Sequence, residues 1–158
     1  MYNHAPEEYV CPICLAINGT ENNDTLICQS DIVYKNDLVI AFISSFFIGE
    51  STGHILISPN KHFENIYDLP KEYGHRVFEV AQKVAFALKE IRKADGIMTL
   101  QCNEPAGDQH AFHYHFHVYP RFEKDNLLQQ LLDKKSSTAG DRLPFAEKMR
   151  KYLKEHNE

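Results

Sequence analysis

The chain has 158 residues, 43% of them hydrophobic and 25% charged, with a formal net charge of −5. That is the length and balance of one soluble domain with a sizeable core, and its negative charge argues against general binding of nucleic acid polymers or anionic membranes, though not against a local pocket for one nucleotide. No apolar run approaches the roughly 20 residues a membrane-spanning helix needs, and the first eight residues carry no secretory pattern, so the expected compartment is the cytoplasm.

Taken in order, the chain opens with Cys11-x-x-Cys14 running into Leu15, Ala16, Ile17 and Gly19, which predicts a knuckle followed by a short helical turn. Cys28 and Cys102 are isolated. One pair and two single cysteines suit metal or redox use in a reducing compartment better than a disulfide frame. Strands are predicted at 26–28, 32–34 and 38–43, then a loop over 44–53 and a strand at 54–58 stopped by Pro59. A helix is expected from near Asp68, with Pro70 in its first turn, to about Lys93. Its stripe of Val77, Ala81, Val84, Ala85, Leu88 and Ile91 has helical spacing and predicts a core face, with Gly96 as the breaker. Strands at 97–102 and 111–119, the latter ended by Pro120, flank a loop at 103–109. A short helix at 127–132, a polar connection at 134–140 and an amphipathic helix carrying Phe145, Met149, Tyr152 and Leu153 complete the chain. That last helix reads as packed against the domain, with partner binding as the alternative. The expected class is α+β, a mostly antiparallel sheet with one long helix.

The chemistry concentrates in His113-Tyr114-His115-Phe116-His117-Val118-Tyr119. Strand side chains alternate faces, so three histidines share one face and Tyr114, Phe116 and Val118 the other. Stacked imidazoles need partners, whether metal, phosphate, water or one another. Largely neutral at pH 7, imidazole serves as nucleophile, base or ligand. The preceding loop offers Asn103, Gly107, Gln109 and His110. Neutral donors and a backbone free to approach a ligand suit a phosphate oxyanion better than a bare metal.

The run from Asn103 to Arg121 resembles the signature of the histidine triad (HIT) family. Upstream, Ala41-Phe42-Ile43 and Gly53-His54-Ile55-Leu56-Ile57-Ser58-Pro59-Asn60-Lys61-His62, with Asn65-Ile66, resemble the same family, so the similarity covers roughly residues 9–123. The resemblance implies a HIT-like domain over 1–123 and a helical extension over 124–158 packed on it. It implies a nucleotidyl hydrolase or transferase acting at an α-phosphate, with His115 attacking phosphorus to form a nucleotidyl-histidine. His117, Gln109 and Asn103 would hold phosphate oxygens, and His110, where many members carry Ser or Thr, would contact the phosphate or protonate the leaving group. The implied substrates are nucleotide conjugates, adenine or another purine, such as dinucleoside polyphosphates or nucleoside phosphoramidates. The upstream segment looks most like bacterial members called polyphosphate hydrolases. A homodimer through the long helix and a neighbouring strand is also implied.

C-x-x-C suits a tetrahedral zinc ion but needs two more ligands. Members of the family with an N-terminal C-x-x-C resemble this chain, and their pattern implies a closed structural Zn2+ site of Cys11, Cys14, His62 and His113, with His54 as the reserve ligand. A redox pair or two core thiols are the alternatives. Three departures stand out. Asp108 lies where a second glycine is common, Ser44 lies where relatives have an acidic residue on the ribose, and the extension has no clear counterpart. Two other functions compete with the first: a non-enzymatic nucleotide-binding scaffold, and a metallohydrolase with zinc on the three histidines.

Overall fold

A computed structural model describes residues 2–22, 25–49 and 51–156. Its elements are, in order, α1 (Pro12–Ile17), β1 (Ile32–Lys35), β2 (Val39–Ile43), β3 (Phe46–Phe47), β4 (Ile55–Pro59), α2 (Lys71–Arg92), β5 (Gly96–Gln101), β6 (Phe116–Arg121), α3 (Leu127–Gln130), β7 (Lys135–Ser136) and α4 (Ala139–Glu155). Five strands form one sheet in the order β1-β2-β4-β6-β5, every neighbouring pair antiparallel, while β3 and β7 pair separately. The class is therefore α+β, as the pattern of strands around one long helix predicts.

The period-two alternation of the strands divides the core. Val39, Ala41, Ile43, Ile55, Ile57 and Val118 face Val77, Val80, Ala81, Val84 and Leu88 of α2 and Ala146, Met149 and Leu153 of α4. Each buried aliphatic side chain contributes about 1.5–3 kcal/mol, so this face supplies most of the stability. On the other face, Ile40, Phe42 and Leu56 meet Ile13 and Ala16 of α1 at one end. Tyr119 meets Ile48 and Leu127 at the other, with Met98, Leu100 and Leu131 against them.

Several boundaries differ from expectation. Residues 26–28 are not a strand: they lead into a 3-10 turn at Gln29–Asp31, where the Asp31 carboxylate accepts from the Cys28 N–H at 2.8 Å. The long helix ends at Lys93, left-handed at φ 53°, while the Lys89 ammonium donates to the Ala94 and Asp95 carbonyls; Gly96 instead opens β5 opposite Arg121. The histidine strand starts at Phe116, because β4 and β5 both stop pairing there. Residues 111–115 run ahead of it, with the Tyr114 N–H donating to the Phe63 carbonyl and the Ser58 hydroxyl to the Tyr114 carbonyl, each at 2.6 Å. Pro120 lies within β6 rather than ending it. β4 pairs only with Phe116–Val118, so no ladder bond is lost on that side. The polar connection at 134–140 hides β7, whose two residues pair with Phe46 and Phe47.

Candidate functional site

Register builds the floor. Phe42, Leu56, His117 and Leu100 stand opposite one another in a single row across four strands, and all four line one cavity. His115, Tyr119 and His54 extend the row's imidazole end, Ile13 and Ile27 close the apolar end, and Ser44, Ser45, Phe46, Leu131 and Lys134 stand over it. Exposed Asp108 and His110, with Ala111, also line the cavity.

The hydrogen-bond partners distinguish the imidazoles. Nδ1 of His115 lies 2.7 Å from the His113 carbonyl, an acceptor only, so it is the protonated nitrogen and Nε2 keeps its lone pair for the cavity. Nδ1 of His117 lies 3.2 Å from the Tyr119 hydroxyl and 3.3 Å from His54 Nε2. Taking His54 Nε2–H as the donor to His117 Nδ1 assigns the proton of the neutral His117 ring to Nε2. The buried Nδ1 of His54 has no partner among the described residues, consistent with a lone pair rather than a proton at that atom. One imidazole thus presents a nucleophilic lone pair and its neighbour a hydrogen-bond donor, their rings 4.9 Å apart.

Electrostatics favour the neutral forms. Burial pushes His54 down to about 3, with the charge of His115 adding to the effect. Burial likewise lowers His115, opposed by its bond to the His113 carbonyl and assisted by His110 and Lys134. His117 falls well below the ordinary value through burial and then through His115, His54 and Lys134. Gly53, at φ 71° and with its Cα packed under Phe145, turns the chain so that His54 enters this group; a Cβ there would stand 2.5 Å from the ring.

A second constellation lies at the other end of the lead-in. Cys11, Cys14, His62 and His113 bring their ligand atoms within 4.8 Å of one another. Nδ1 of His113 is 3.3 Å from the Cys11 sulfur and 3.5 Å from the Cys14 sulfur, and Nδ1 of His62 is 3.3 Å from Cys14. The ring of His113 is oriented by its Nε2, 3.0 Å from the Pro59 carbonyl, so Nδ1 carries the lone pair. Burial and the adjacent Cys11 push the Cys14 thiol up to about 12, the expected cost of two thiolates facing each other with no cation between them. Two thiols and two imidazole nitrogens within 4.8 Å of one another make a four-donor set of the chemistry that fits a metal ion.

The other residues singled out from sequence divide. His110 and Ser44 stand on the cavity wall. Asn103 and Gln109 face elsewhere. The Asn103 side chain accepts from the Ile66 N–H at 2.8 Å and exchanges bonds with Gln101. The buried Gln109 amide accepts from the Glu104 N–H at 2.7 Å and donates to the Glu64 and Ala111 carbonyls. Both hold the loop that carries the histidines. His54, the reserve ligand in the sequence reading, stands with His117 and away from the thiols. Tyr119 and Lys134 were missed; Tyr119 was legible as the next residue on the histidine face, whereas Lys134 is brought in only by the pairing of β3 with β7. The three triad histidines do not converge on one point, since His113 turns to the cysteines and the Nδ1 atoms of the other two are engaged.

Fold and site together define an α+β domain whose sheet presents histidines to a cavity. The HIT domain matches residues 27–124. An uncharacterized HIT-like protein of Saccharolobus solfataricus is 31% identical over 127 residues, covering 80% of this chain and 87% of its own. A bis(5'-adenosyl)-triphosphatase of Dictyostelium discoideum is 29% identical over 114 residues, 69% of this chain and 74% of that protein. The crystal structure of a zinc-bound histidine triad family protein from Mycobacterium smegmatis superimposes with a TM-score of 0.74 at 24% identity, covering 93% of this chain and 95% of that one, and so shares the fold. The chain belongs to the HIT family.

Proposed function

We propose that the protein is a nucleotidyl hydrolase or transferase that attacks the α-phosphate of a nucleotide conjugate, a dinucleoside polyphosphate or a nucleoside phosphoramidate. The observation that carries this reading is the His115 tautomer: with Nδ1–H tied to the His113 carbonyl, the Nε2 lone pair is left to the cavity. Nε2 forms a bond to phosphorus as the bond to the leaving group breaks, and the leaving group departs with the electron pair. Water then attacks phosphorus and the P–N bond breaks, restoring His115; the second displacement is easier than direct hydrolysis. Nε2–H of His117 donates to a phosphoryl oxygen as its charge grows, and His110 on the cavity wall is placed to give the leaving group a proton. The apolar end around Ile13, Ile27 and Phe42 takes the base, and Ser44 the ribose.

Zn2+ is the metal proposed for Cys11, Cys14, His62 and His113. With all four positions taken by protein, its chemistry is structural, fixing His113 and through its carbonyl the orientation of His115. Exposed Phe78 and Phe86, eight positions apart on α2, support a homodimer through that helix.

The test is an intact mass taken after incubation with diadenosine tetraphosphate and adenosine phosphoramidate and a non-acidic quench. An added nucleotidyl mass that is lost in His115→Ala is expected. Full turnover by His115→Ala would remove the proposal.

A further inference from the structure

The cavity holds one permanently charged cation among its described lining residues, Lys134, and it comes from outside the segment that the HIT domain matches. Its place is built. Ser136 and Lys135 pair with Phe46 and Phe47, and the Ser137 N–H and hydroxyl both donate to the Ser45 carbonyl at 2.9 Å. The buried guanidinium of Arg142 donates to the Ser137 carbonyl at 2.5 Å. Lys134 is the last residue before this stitched segment, and its ammonium stands 5.4 Å over the Phe46 ring centroid. It joins no ion pair among the described residues.

A lysine that lines the same cavity as His115 and His117 is placed for an anion that extends beyond the phosphoryl group under attack. Nε2–H of His117 serves the phosphoryl group under attack, but a leaving oligophosphate brings several more negative charges and gains another as the P–O bond breaks. Asp108 also lines the cavity and would repel such a chain, which makes an attracting ammonium the more necessary.

We propose that Lys134 is a specificity-determining residue that binds the phosphates of the leaving group and selects oligophosphate leaving groups over uncharged amines. This rests on the nucleotidyl-transfer reading above. In the step concerned, the His115 Nε2–P bond forms, the bridging P–O bond breaks, and the electron pair stays on the departing oligophosphate oxygen beside the ammonium. An amine leaving group must instead take up a proton and gains nothing from Lys134.

The experiment compares wild type, Lys134→Met and Lys134→Arg on diadenosine tetraphosphate and adenosine phosphoramidate, and measures equilibrium binding of ATP and AMP without magnesium. Lys134 is exposed, so its replacement leaves the fold intact. The methionine variant should lose about tenfold or more in kcat/KM on the tetraphosphate and under about twofold on the phosphoramidate, with arginine restoring most of the loss. Its affinity for ATP should fall about tenfold and that for AMP stay constant. Equal losses on both substrates, or none on the tetraphosphate, overturn the proposal. If wild type turns over neither substrate, the hydrolase reading fails on its own. The binding arm then decides the role of Lys134, and an ATP-to-AMP affinity ratio unchanged by Lys134→Met refutes it.

Discussion

Arg142 and Asp31, 111 positions apart, meet in a buried two-point ion pair, Nε to Oδ1 and Nη2 to Oδ2 at 2.8 Å each. The same guanidinium reaches the Ser137 and Leu26 carbonyls, so one side chain ties α4 to two segments around the cavity. Removing either partner leaves an uncompensated buried charge, and Arg142→Met or Asp31→Asn should cost about 3–5 kcal/mol in urea unfolding. A loss below about 1 kcal/mol in both variants contradicts this account of the pair.

The depressed histidines make stability depend on pH in one direction. His54 titrates near 6.5 in the unfolded chain and at about 3 when folded, so between these values the unfolded state holds the extra proton. Stability therefore falls as pH falls through that window, by about 1.4 kcal/mol per pH unit for each such histidine. His54→Asn should remove one proton from the slope of unfolding free energy against pH. An identical slope in variant and wild type rejects the assignment.

Metal removal should act on structure before chemistry. A chelator, or Cys14→Ser, is expected to lower Tm and release one zinc per chain, with activity declining in step with unfolding. Rapid loss of activity at unchanged Tm points instead to a metal at the reacting centre.

The α2 surface gives a fourth test. Phe78 and Phe86 are 70% and 63% exposed, far more than the buried residues on the helix's opposite stripe. In equilibrium sedimentation the wild type should run at twice the chain mass and Phe78→Glu/Phe86→Glu at the chain mass, with little change in Tm. A wild type that is monomeric at micromolar concentration ends the dimer proposal.

Legibility in the sequence followed the range of the interaction. Alternation brought out His115 and His117 but read His113 onto the same face, whereas that side chain turns to the cysteines ahead of β6; 3.6-residue spacing exposed the buried stripe of α2, a signal that is local and repeated. Residues 26–28 misled, since three apolar residues suit a strand as well as a cavity wall and nothing nearby shows the Asp31 cap. β7 was invisible, its two residues being too short to carry a period. Asn103 and Gln109 have the donors a phosphate wants, but composition does not say which way a side chain faces; Asn103 donates to the Gln101 side chain and Gln109 to the Glu64 and Ala111 carbonyls. Spacing alone left the partners of the cysteine pair open. Folding brings His62 and His113 to Cys11 and Cys14 from 48 and 102 positions away.

The row Phe42–Leu56–His117–Leu100 exists only when three ladders are in register at once. A slip of one residue in β6 would turn His117 toward α2 and bring Val118 to the cavity, so a half-correct sheet has no half-correct site. Evolutionary change is channelled accordingly. Mutations in the ladder are all-or-nothing for the chemistry, whereas Ile13 and Ile27 at the apolar end and the α3–β7 segment lie off it and can drift. Lineages sharing this sheet should therefore diverge in substrate range at the two ends of the cavity while its floor stays fixed.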